Sequence, residues 1–360
     1  SIGGAGSVAY QNAKLLSEDN KVDVLTRKRS ENKVNYKFNL IETFTVSKLW
    51  FLELVFILFK MRLDNYDLII INDLGATLAS GLILRDSEFK KAVLFSHGGE
   101  IKKIQTHNKL VYKLIQAKRI LFKVIYKCDT IIAVSKYQKE KIIRSLPFEK
   151  SLEDKIKVIY AGIDLSKFYY SYKSNILKFD DDKNKIYIIT VSRIIKGKGY
   201  DDMYKIFKNL IQQGYNYHWL IVGDGEYLEI IRKKMHKDNL SNSISLIGAV
   251  SSDELRYYYS FADIFFLLSN LPEAFGLVYI EANACGLPVI GRKKAGVIEA
   301  INDGVSGFLI NTNEECENIF KDQAFLNLSK ENILENARKF DSNRIKIKLM
   351  TIINEFSYKK

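Results

Sequence analysis

Short apolar runs rich in β-branched residues alternate with longer segments of helical periodicity along nearly the whole chain. The runs lack the polar alternation of half-exposed strands, so they predict strands buried on both faces, as in parallel sheets covered by helices. A first set lies at residues 22–26, 67–71, 92–96, 130–134 and 157–161, and a second at residues 186–191, 218–222, 244–248, 263–268, 287–290 and 307–310. Two such sets predict an α/β protein with two doubly wound domains.

A polar stretch at residues 168–185, rich in loop-forming residues, separates the two sets. We therefore predict an N-terminal domain at residues 1–170, a C-terminal domain at residues 171–341, and a terminal helix at residues 342–360 that crosses back to the first domain. A chain of 360 residues is long enough to bury two cores. Because doubly wound sheets bind ligands at the carboxyl ends of their strands, we expect the active site in a cleft between the domains.

The most apolar run of the chain lies at residues 49–59 and contains one acid, Glu53. It is too short to span a bilayer. Its length and pattern favour a helix buried in the core over a helix that dips into a membrane.

The net charge of +13 is concentrated in one segment, residues 101–144, which carries twelve basic and two acidic side chains. Such a local field attracts nucleic acid, anionic lipid or a phosphorylated substrate, and the charge does not choose among them. Within this segment, residues 109–127 have cations about four positions apart with aliphatic residues between them, which is typical of a basic amphipathic helix. The alternative is a core helix with a solvated lysine face.

The three cysteines and four histidines are scattered, and no CxxC spacing occurs. This pattern argues against a disulfide framework or a zinc site and favours a reducing, cytoplasmic compartment. No secretory signal is visible at the start of the chain. Three consecutive aspartates at residues 180–182 lie in the polar stretch, where a solvated loop is a better interpretation than a metal site.

Two cations, Arg193 and Lys198, follow the first strand of the second domain in the segment VSRIIKGKG. Arginine offers a planar fork and lysine a point charge, so the pair suits a diphosphate. A solvated basic loop is the alternative. The glycines of GDG, Gly223 and Gly225, follow another strand and allow a ligand to approach the backbone. The segment GGAGS at residues 3–7 precedes a helical run and would aim free amides at an anion. Each signal is weak alone.

Two carboxylates, Glu273 and Glu281, lie eight positions apart in NLPEAFGLVYIEANACG. A helix is predicted to begin near Phe275 or Gly276, which places Glu273 before the helix and Glu281 inside it. Glu273 can serve as a simple helix cap. Glu281 lies among apolar and small residues, where an unpaired carboxylate is costly, so we expect it to have a hydrogen-bonding partner such as a sugar diol.

Nine segments in order resemble the retaining glycosyltransferases of family 4, which have the GT-B fold of two Rossmann-like domains facing across a cleft. The segments are GGAG, SHGGE, IIAVSKYQKE, VIYAGIDLSKF, VSRIIKGKG, LIVGDGE, LIGAV, EAFGLVYIEA and AGVIEAINDGVSGFLI. They cover nearly the whole chain.

This resemblance implies roles for five side chains. Arg193 and Lys198 would bind the donor diphosphate, and Glu281 the nucleotide ribose. Glu273 would contact the donor sugar, and His97, in SHGGE, would be the active-site histidine beside the transferred sugar. The remaining donor-binding positions act through backbone amides, close approach of a glycine, or contact with the base: Gly4, Gly6, Gly223, Gly248, Val250, Phe275, Gly276 and Leu277.

The implied reaction is transfer of a sugar from a nucleotide diphosphate sugar to an acceptor hydroxyl with retention at the anomeric carbon, in cell-surface polysaccharide, lipopolysaccharide or glycolipid biosynthesis. No cofactor and no metal are expected, because fixed cations and helix amides supply the positive potential. The acceptor would be a saccharide or a lipid-linked molecule. Residues 101–144 would contact an anionic membrane peripherally, on its cytoplasmic face. Nucleic acid is not an expected partner, because the basic segment contains no recognisable binding module.

Two other activities fit the same pattern. One is a non-catalytic nucleotide-sugar-binding subunit, and the other is an epimerase or phosphorylase with the GT-B fold.

The chain also departs from the family in two places. The family has a hydrophobic strand before the glycine loop, so we expect such a strand to precede Ser1, and Ala295 stands where the family often has glycine.

Overall fold

The structure, a computed structural model, describes residues 4–28, 37–44, 50–98, 116–146, 150–171 and 184–358. It divides into two compact units. The N-terminal unit consists of Ile2–Ala161 together with Ser342–Lys360, and the C-terminal unit of Gly162–Asp341. The division after Ala161 lies nine residues before the predicted boundary after residue 170.

The N-terminal unit alternates strands and helices. Its strands are β1 (Asp23–Thr26), β2 (Asn39–Glu42), β3 (Ile69–Ile71), β4 (Ala92–Ser96), β5 (Thr130–Ala133) and β6 (Ile156–Val158). Its helices before Ala161 are α1 (Gly4–Leu16), α2 (Trp50–Lys60), α3 (Leu74–Ile83), α4 (Asp86–Phe89), α5 (Ala117–Lys127), α6 (Lys136–Ser145) and α7 (Lys150–Lys155). Of the predicted basic helix at residues 109–127, residues 109–115 lie outside the described ranges, and α5 forms the rest.

The strands form two parallel sheets. Strands β3, β4, β5 and β6 pair in sequence order, and β1 pairs with β2. Successive side chains of β4 point to opposite faces. On one face Leu94 joins a core with Leu78 of α3 and with Leu121 and Val124 of α5. The five predicted strands of this unit are confirmed, whereas β2 has no counterpart in the prediction.

The prediction of a core helix at residues 49–59 is wrong for one face of α2. Leu54 is buried, and Phe51 and Leu58 pack against the core, but Leu52, Phe56 and Phe59 are exposed. The helix packs beside α3, and the residues that the structure describes cover only one of its sides. Because the helix is apolar on nearly every side, its periodicity does not indicate which face would be exposed.

The C-terminal unit is a second α/β layer structure. Its strands are β7 (Ile186–Val191), β8 (Tyr217–Val222), β9 (Ile244–Gly248), β10 (Ile264–Leu267), β11 (Val289–Arg292) and β12 (Gly307–Ile310). Its helices are α8 (Tyr200–Gln212), α9 (Leu228–Lys237), α10 (Ser252–Phe261), α11 (Leu277–Ala284), α12 (Val297–Ala300), α13 (Asn313–Lys321) and α14 (Lys330–Arg338). Each of the six predicted strands of this unit is confirmed.

These six strands form one parallel sheet in the order β9-β8-β7-β10-β11-β12. The order reverses between β7 and β10, and such a switch point is where open α/β sheets bind ligands. Hydrogen bonds between side chains and backbone tie the centre together: the indole of Trp219 donates to the hydroxyl of Thr190 (2.9 Å), which donates to the carbonyl of Phe266 (2.5 Å). The loops after β7 and β10 are thus held by a rigid core.

The last helix, α15 (Ser342–Tyr358), belongs to the N-terminal unit. Ile345, Leu349 and Ile352 pack against Val93 and Phe95 on the second face of β4. The two faces of the N-terminal sheet are therefore covered by distant parts of the chain.

Candidate active site

The loops after β7 and β10 meet at the switch point of the C-terminal sheet. The backbone amides of Asn270 and Leu271 both donate to the carbonyl of Gly197, at 3.0 and 3.2 Å. Gly199 has φ +80°, and a Cβ on it would lie 1.9 Å from the carbonyl oxygen of Leu268. Glycine is therefore required where one loop passes the other.

Helices α8 and α11 both begin at this point with an uncapped N-terminus. Their N-cap residues are Gly199 and Gly276, both with positive φ and neither with a side chain that can cap. By contrast, Ser251 and Glu254 close the N-terminus of α10 with a capping box. The first-turn amides of a helix have no partner within the helix and carry a partial positive charge, so both termini suit an anion. The predicted helix start near Gly276 is confirmed.

Lys198 and Glu273 form an ion pair between the two loops. Lys198 Nζ lies 2.6 Å from Glu273 Oε1, and Ser269 Oγ donates to the same oxygen at 2.7 Å. The two charged side chains keep only 13% and 21% of their surface exposed. Within the described ranges Glu273 Oε2 makes no hydrogen bond, so this oxygen can accept a hydrogen bond from a ligand hydroxyl.

Arg193 extends from the carboxyl end of β7 into solvent. Its guanidinium makes no hydrogen bond or ion pair with any residue that the structure describes. Arg193 and Lys198 are thus two cations in the loop between β7 and the uncapped N-terminus of α8. A side chain with five donors and no protein acceptor is available to bind an anionic ligand.

Glu281 lies on α11, and the hydroxyl of Tyr259 donates to its Oε2 at 3.2 Å. Part of the side chain reaches solvent, but the surrounding packing raises the pKa of this carboxyl to about 7, and the Tyr259 hydrogen bond opposes that shift. The sequence predicts a hydrogen-bonding partner for Glu281 such as a sugar diol, and in the structure the Tyr259 hydroxyl is one partner. No local pattern predicts Tyr259 as a partner, because α10 brings it near from another part of the chain.

Two further loops of the same sheet edge depend on glycine. Gly223, after β8, has φ +141°, and a Cβ on it would lie 1.9 Å from the carbonyl oxygen of Ser192. The amide of Gly223 donates to the carbonyl of Gly248 at the end of β9 (2.8 Å). Val250 follows and is partly exposed. The loops after β7, β8 and β9 are thus neighbours.

Phe275 and Ala295 shape the loop around Glu273. The side chain of Phe275 is buried against Phe340, with ring centroids 5.0 Å apart, so only its backbone can face a ligand. The amide of Gly296 donates to the carbonyl of Glu273 at 3.0 Å. Its neighbour Ala295 keeps a left-handed backbone with φ +54°. The departure from glycine at Ala295 therefore places a Cβ in a conformation that favours glycine.

Replacing Ala295 with glycine is expected to stabilise the C-terminal unit by up to about 1 kcal/mol, because it removes the left-handed strain of a Cβ. Denaturant unfolding of the two proteins measures this. Ala300→Gly in the adjacent α12 is the control and should destabilise instead, by about 1 kcal/mol or more, because it adds backbone freedom to a helix. A destabilising Ala295→Gly would show that the strain is absent.

In the N-terminal unit, His97 follows β4 and is linked to the start of α1 through Asn72. The Asn72 amide donates to the carbonyl of Ala5 at 3.1 Å, so its Oδ1 faces His97 Nε2, 3.1 Å away. This orientation requires the proton of His97 to be on Nε2. Gly4 and Gly6 lie in the first turn of α1, beside Ala5. Asn72 is not among the predicted site residues, although a polar residue directly after a buried strand could have indicated it.

The predicted site residues thus form two groups. One group lies at the carboxyl edge of the C-terminal sheet: Arg193, Lys198, Gly223, Gly248, Val250, Glu273, Phe275, Gly276, Leu277 and Glu281. The other lies in the N-terminal unit: Gly4, Gly6 and His97. The aspartates at residues 180–182 fall outside the described ranges, and among the residues inside them no cluster of three or more His, Cys, Asp or Glu side chains could hold a metal ion.

Family sequence models match both units. The model described as Glycosyltransferase Family 4 matches residues 2–167, and the model described as Glycosyl transferases group 1 matches residues 173–340. Together they leave only short segments unmatched. The chain belongs to glycosyltransferase family 4.

Two curated relatives and one solved structure illustrate the likeness. Alpha-monoglucosyldiacylglycerol synthase of Acholeplasma laidlawii is 31% identical over 52% of this chain and 47% of its own length. The capsular polysaccharide biosynthesis glycosyltransferase CapM of Staphylococcus aureus is 29% identical over 62% of this chain and 60% of its own length. The match therefore spans about half of the first relative and three fifths of the second.

The solved structure is HepE of Anabaena in complex with UDP. It superposes with a TM-score of 0.77 at 20% identity, over 99% of this chain and 97% of HepE. At this identity the likeness shows the fold, two Rossmann-like domains of the GT-B class. This confirms the predicted fold class. Within the described ranges no helix is both long enough and apolar enough to cross a membrane.

Proposed function

We propose that this chain transfers a sugar from a nucleotide diphosphate sugar to an acceptor hydroxyl, with retention at the anomeric carbon and without a metal ion. The observation that carries the proposal is the convergence of two uncapped helix termini with Lys198, Arg193 and Glu273 at one switch point. The names of the relatives, a glycolipid synthase and a capsule glycosyltransferase, support the class of reaction. We further propose that the transfer serves the assembly of a cell-surface polysaccharide, lipopolysaccharide or glycolipid.

The chemical requirement is stabilisation of a diphosphate leaving group while the departing sugar gains oxocarbenium character. Arg193 would bind two phosphate oxygens through its fork, and Lys198 and the first-turn amides of α8 and α11 would face the charge that develops. Glu273 holds Lys198 in place and the helix amides are fixed by the backbone, so these groups need little reorganisation during the reaction. We expect activity to survive chelation of divalent metals, and loss of activity in EDTA would contradict the metal-free part of the proposal.

Glu273 and Glu281 would hold the two ends of the donor. Glu273 Oε2 would accept from a hydroxyl of the transferred sugar, while Lys198 and Ser269 keep the carboxylate in place through Oε1. Glu281 would accept from the ribose hydroxyls beside Tyr259. The base would contact the loop at Gly248 and Val250, as the family resemblance implies.

Asn72 would position His97 for its role beside the transferred sugar. Asn72→Ala removes the acceptor that fixes the Nε2 proton, so we expect kcat to fall roughly tenfold, the order of one lost hydrogen bond, with little change in the donor KM. Steady-state kinetics with a varied donor measure both values. Asn65→Ala, an exposed asparagine of the same unit, is the control. Equal kinetics for the two variants would contradict the positioning role.

The acceptor would be a saccharide or a lipid-linked molecule at an anionic membrane surface. Of the basic residues 101–144, the described part from residue 116 includes α5, whose Lys118 and Arg119 are exposed. The three cysteines, Cys128, Cys285 and Cys316, are buried free thiols, which supports action in a reducing compartment, at the cytoplasmic face.

Thermal shift with UDP-, GDP- and ADP-sugars tests the proposal, because a bound donor stabilises the native state. We expect one nucleotide class to raise the Tm, and no shift with any of the three would contradict donor binding. Product analysis then separates the activities: transfer requires an acceptor, an epimerase converts the donor alone, and a binding subunit forms no product.

A further inference from the structure

Two carboxylates stand at the helix terminus that the proposed function assigns to a diphosphate. Asp201 and Asp202 lie in the first turn of α8, which follows Lys198 and Gly199. Negative side chains stabilise the N-terminus of a helix, but they also repel an anion that binds to the same amides. Binding of a diphosphate at α8 therefore requires that both negative charges be offset.

Each carboxylate is paired with a cation from another part of the C-terminal unit. Asp201 is bound by Lys234 of α9, and the Tyr227 hydroxyl lies 2.6 and 2.8 Å from its two oxygens. Asp202 Oδ2 lies 2.6 Å from Nη2 of Arg292, the last residue of β11. Asp201 thus has a hydroxyl donor besides its cation, whereas the charge of Asp202 is offset by Arg292.

The Arg292–Asp202 pair belongs to a network at the carboxyl edge of the sheet. Nη2 of Arg292 also donates to Oδ1 of Asn313, the first residue of α13, at 3.0 Å. The side-chain amides of Asn313 and Asn270 lie 3.3 and 3.4 Å from the two oxygens of Asp202. Because the backbone of Asn270 contacts Gly197, the Asp202 carboxylate lies at the N-terminal end of α8.

The position of Arg292 is not explained by stability alone. Its side chain keeps 17% of its surface exposed, and its Nε is buried without a hydrogen-bond partner among the residues that the structure describes. A buried donor without an acceptor costs stability. A partly buried ion pair adds little to offset this, because both ions lose hydration. The charge of Arg292 is therefore the better explanation of its place beside Asp202.

We propose that Arg292 is a positioning residue of the donor site, which holds and neutralises the Asp202 carboxylate so that the N-terminus of α8 binds a diphosphate. This inference rests on the proposed function, because it concerns the diphosphate of that donor. Arg292 acts through Asp202 and needs no contact with the ligand. Its effect is electrostatic, so it disappears when Asp202 loses its charge, and salt weakens it.

Calorimetric titration with inorganic pyrophosphate tests this, because pyrophosphate carries the diphosphate charge without a base or a sugar. We expect Arg292→Gln to bind pyrophosphate roughly tenfold more weakly than the wild type in about 20 mM salt. In about 500 mM salt the loss should fall below about twofold, since the charges are then screened. Arg338→Gln is the matched control. Arg338 pairs with Glu331 and Glu335 within α14, so this variant loses the same charge elsewhere in the unit and should bind as the wild type does.

Removal of the carboxylate distinguishes an electrostatic role from a structural one. The double variant Asp202→Asn/Arg292→Gln should regain wild-type affinity at low salt, because neither charge remains. Asp202→Asn alone should bind pyrophosphate severalfold more tightly than the wild type, since the charge of Arg292 is then unopposed. A purely structural network predicts the reverse, with weaker binding by Asp202→Asn and no recovery in the double variant. Circular dichroism and thermal unfolding without ligand establish that each variant is folded.

Four results would overturn the proposal. They are a wild type that binds no pyrophosphate, an Arg292→Gln variant that binds it normally, a double variant that binds as weakly as Arg292→Gln, and weaker binding by Asp202→Asn. The last of these decides the question even if Arg292→Gln does not fold. Failure of the proposed function is detected separately, because a thermal shift with a nucleotide sugar leaves that function standing whichever way the pyrophosphate titrations end.

Discussion

Replacing Lys198 with alanine is expected to lower kcat by about 10²- to 10³-fold, the loss typical of one preorganised group that stabilises developing negative charge. The substitution removes a cation beside the uncapped terminus of α8. It also leaves Glu273 with Ser269 as its remaining partner, so a partly buried carboxylate loses its counter-charge. The donor-induced thermal shift should disappear as well.

Lys196→Ala is the matched control for this experiment. Lys196 lies in the same short 3₁₀ helix, Lys196–Lys198, but its side chain is exposed. It should retain the donor-induced shift and most of the activity. Equal losses of activity in the two variants would mean that activity depends on the net positive charge of the loop and not on Lys198 itself. Full activity of Lys198→Ala would show that Lys198 has no role in the mechanism.

The second large effect concerns pH and Glu281. Burial raises the pKa of this carboxyl to about 7 from an ordinary value of 4.5, so between these values the native state holds the proton more tightly than the unfolded chain does. Stability of the C-terminal unit should therefore fall as pH rises from about 4.5 to 7 and level off above pH 7. The shift corresponds to at most about 3 kcal/mol, and solvent contact of the side chain reduces it.

Glu281→Gln should remove this pH dependence and make the C-terminal unit more stable than the wild type at pH 8. Donor affinity should change in the opposite direction, because ribose hydroxyls donate to the ionised carboxylate: wild-type affinity rises from pH 6 to 8, while Glu281→Gln binds at least tenfold more weakly at pH 8. Denaturant melts and donor titrations at the two pH values measure both. Glu314→Gln, on an exposed side chain, is the control, and a pH-independent wild type would contradict the assignment.

The sequence predicted the fold well because apolar runs report burial directly. Runs such as residues 186–191 and 264–267 have no polar face, and only a parallel sheet covered on both sides buries such strands. Strand β2 was missed because Asn39 and Glu42 are exposed at its ends, which leaves only two half-buried positions as a signal. The exposed face of α2 was also out of reach, since burial there depends on which neighbours pack beside the helix.

The candidate site was predicted as a set of residues but not as a set of contacts. Glycine positions were informative, because Gly199 and Gly223 each pass within contact distance of another backbone. The Lys198–Glu273 ion pair joins residues far apart in the chain, so no local pattern reports it. The same is true of Tyr259 beside Glu281 and of Asn72 beside His97.

The position of α15 has a consequence for synthesis of the protein. Val93 and Phe95 of the first unit are covered by Ile345, Leu349 and Ile352, near the end of the chain. While the ribosome is still making the C-terminal unit, that side of the N-terminal sheet lacks its cover, and exposed apolar surface of this kind promotes aggregation. The first half of this chain can therefore complete its folding only after the second half has left the ribosome.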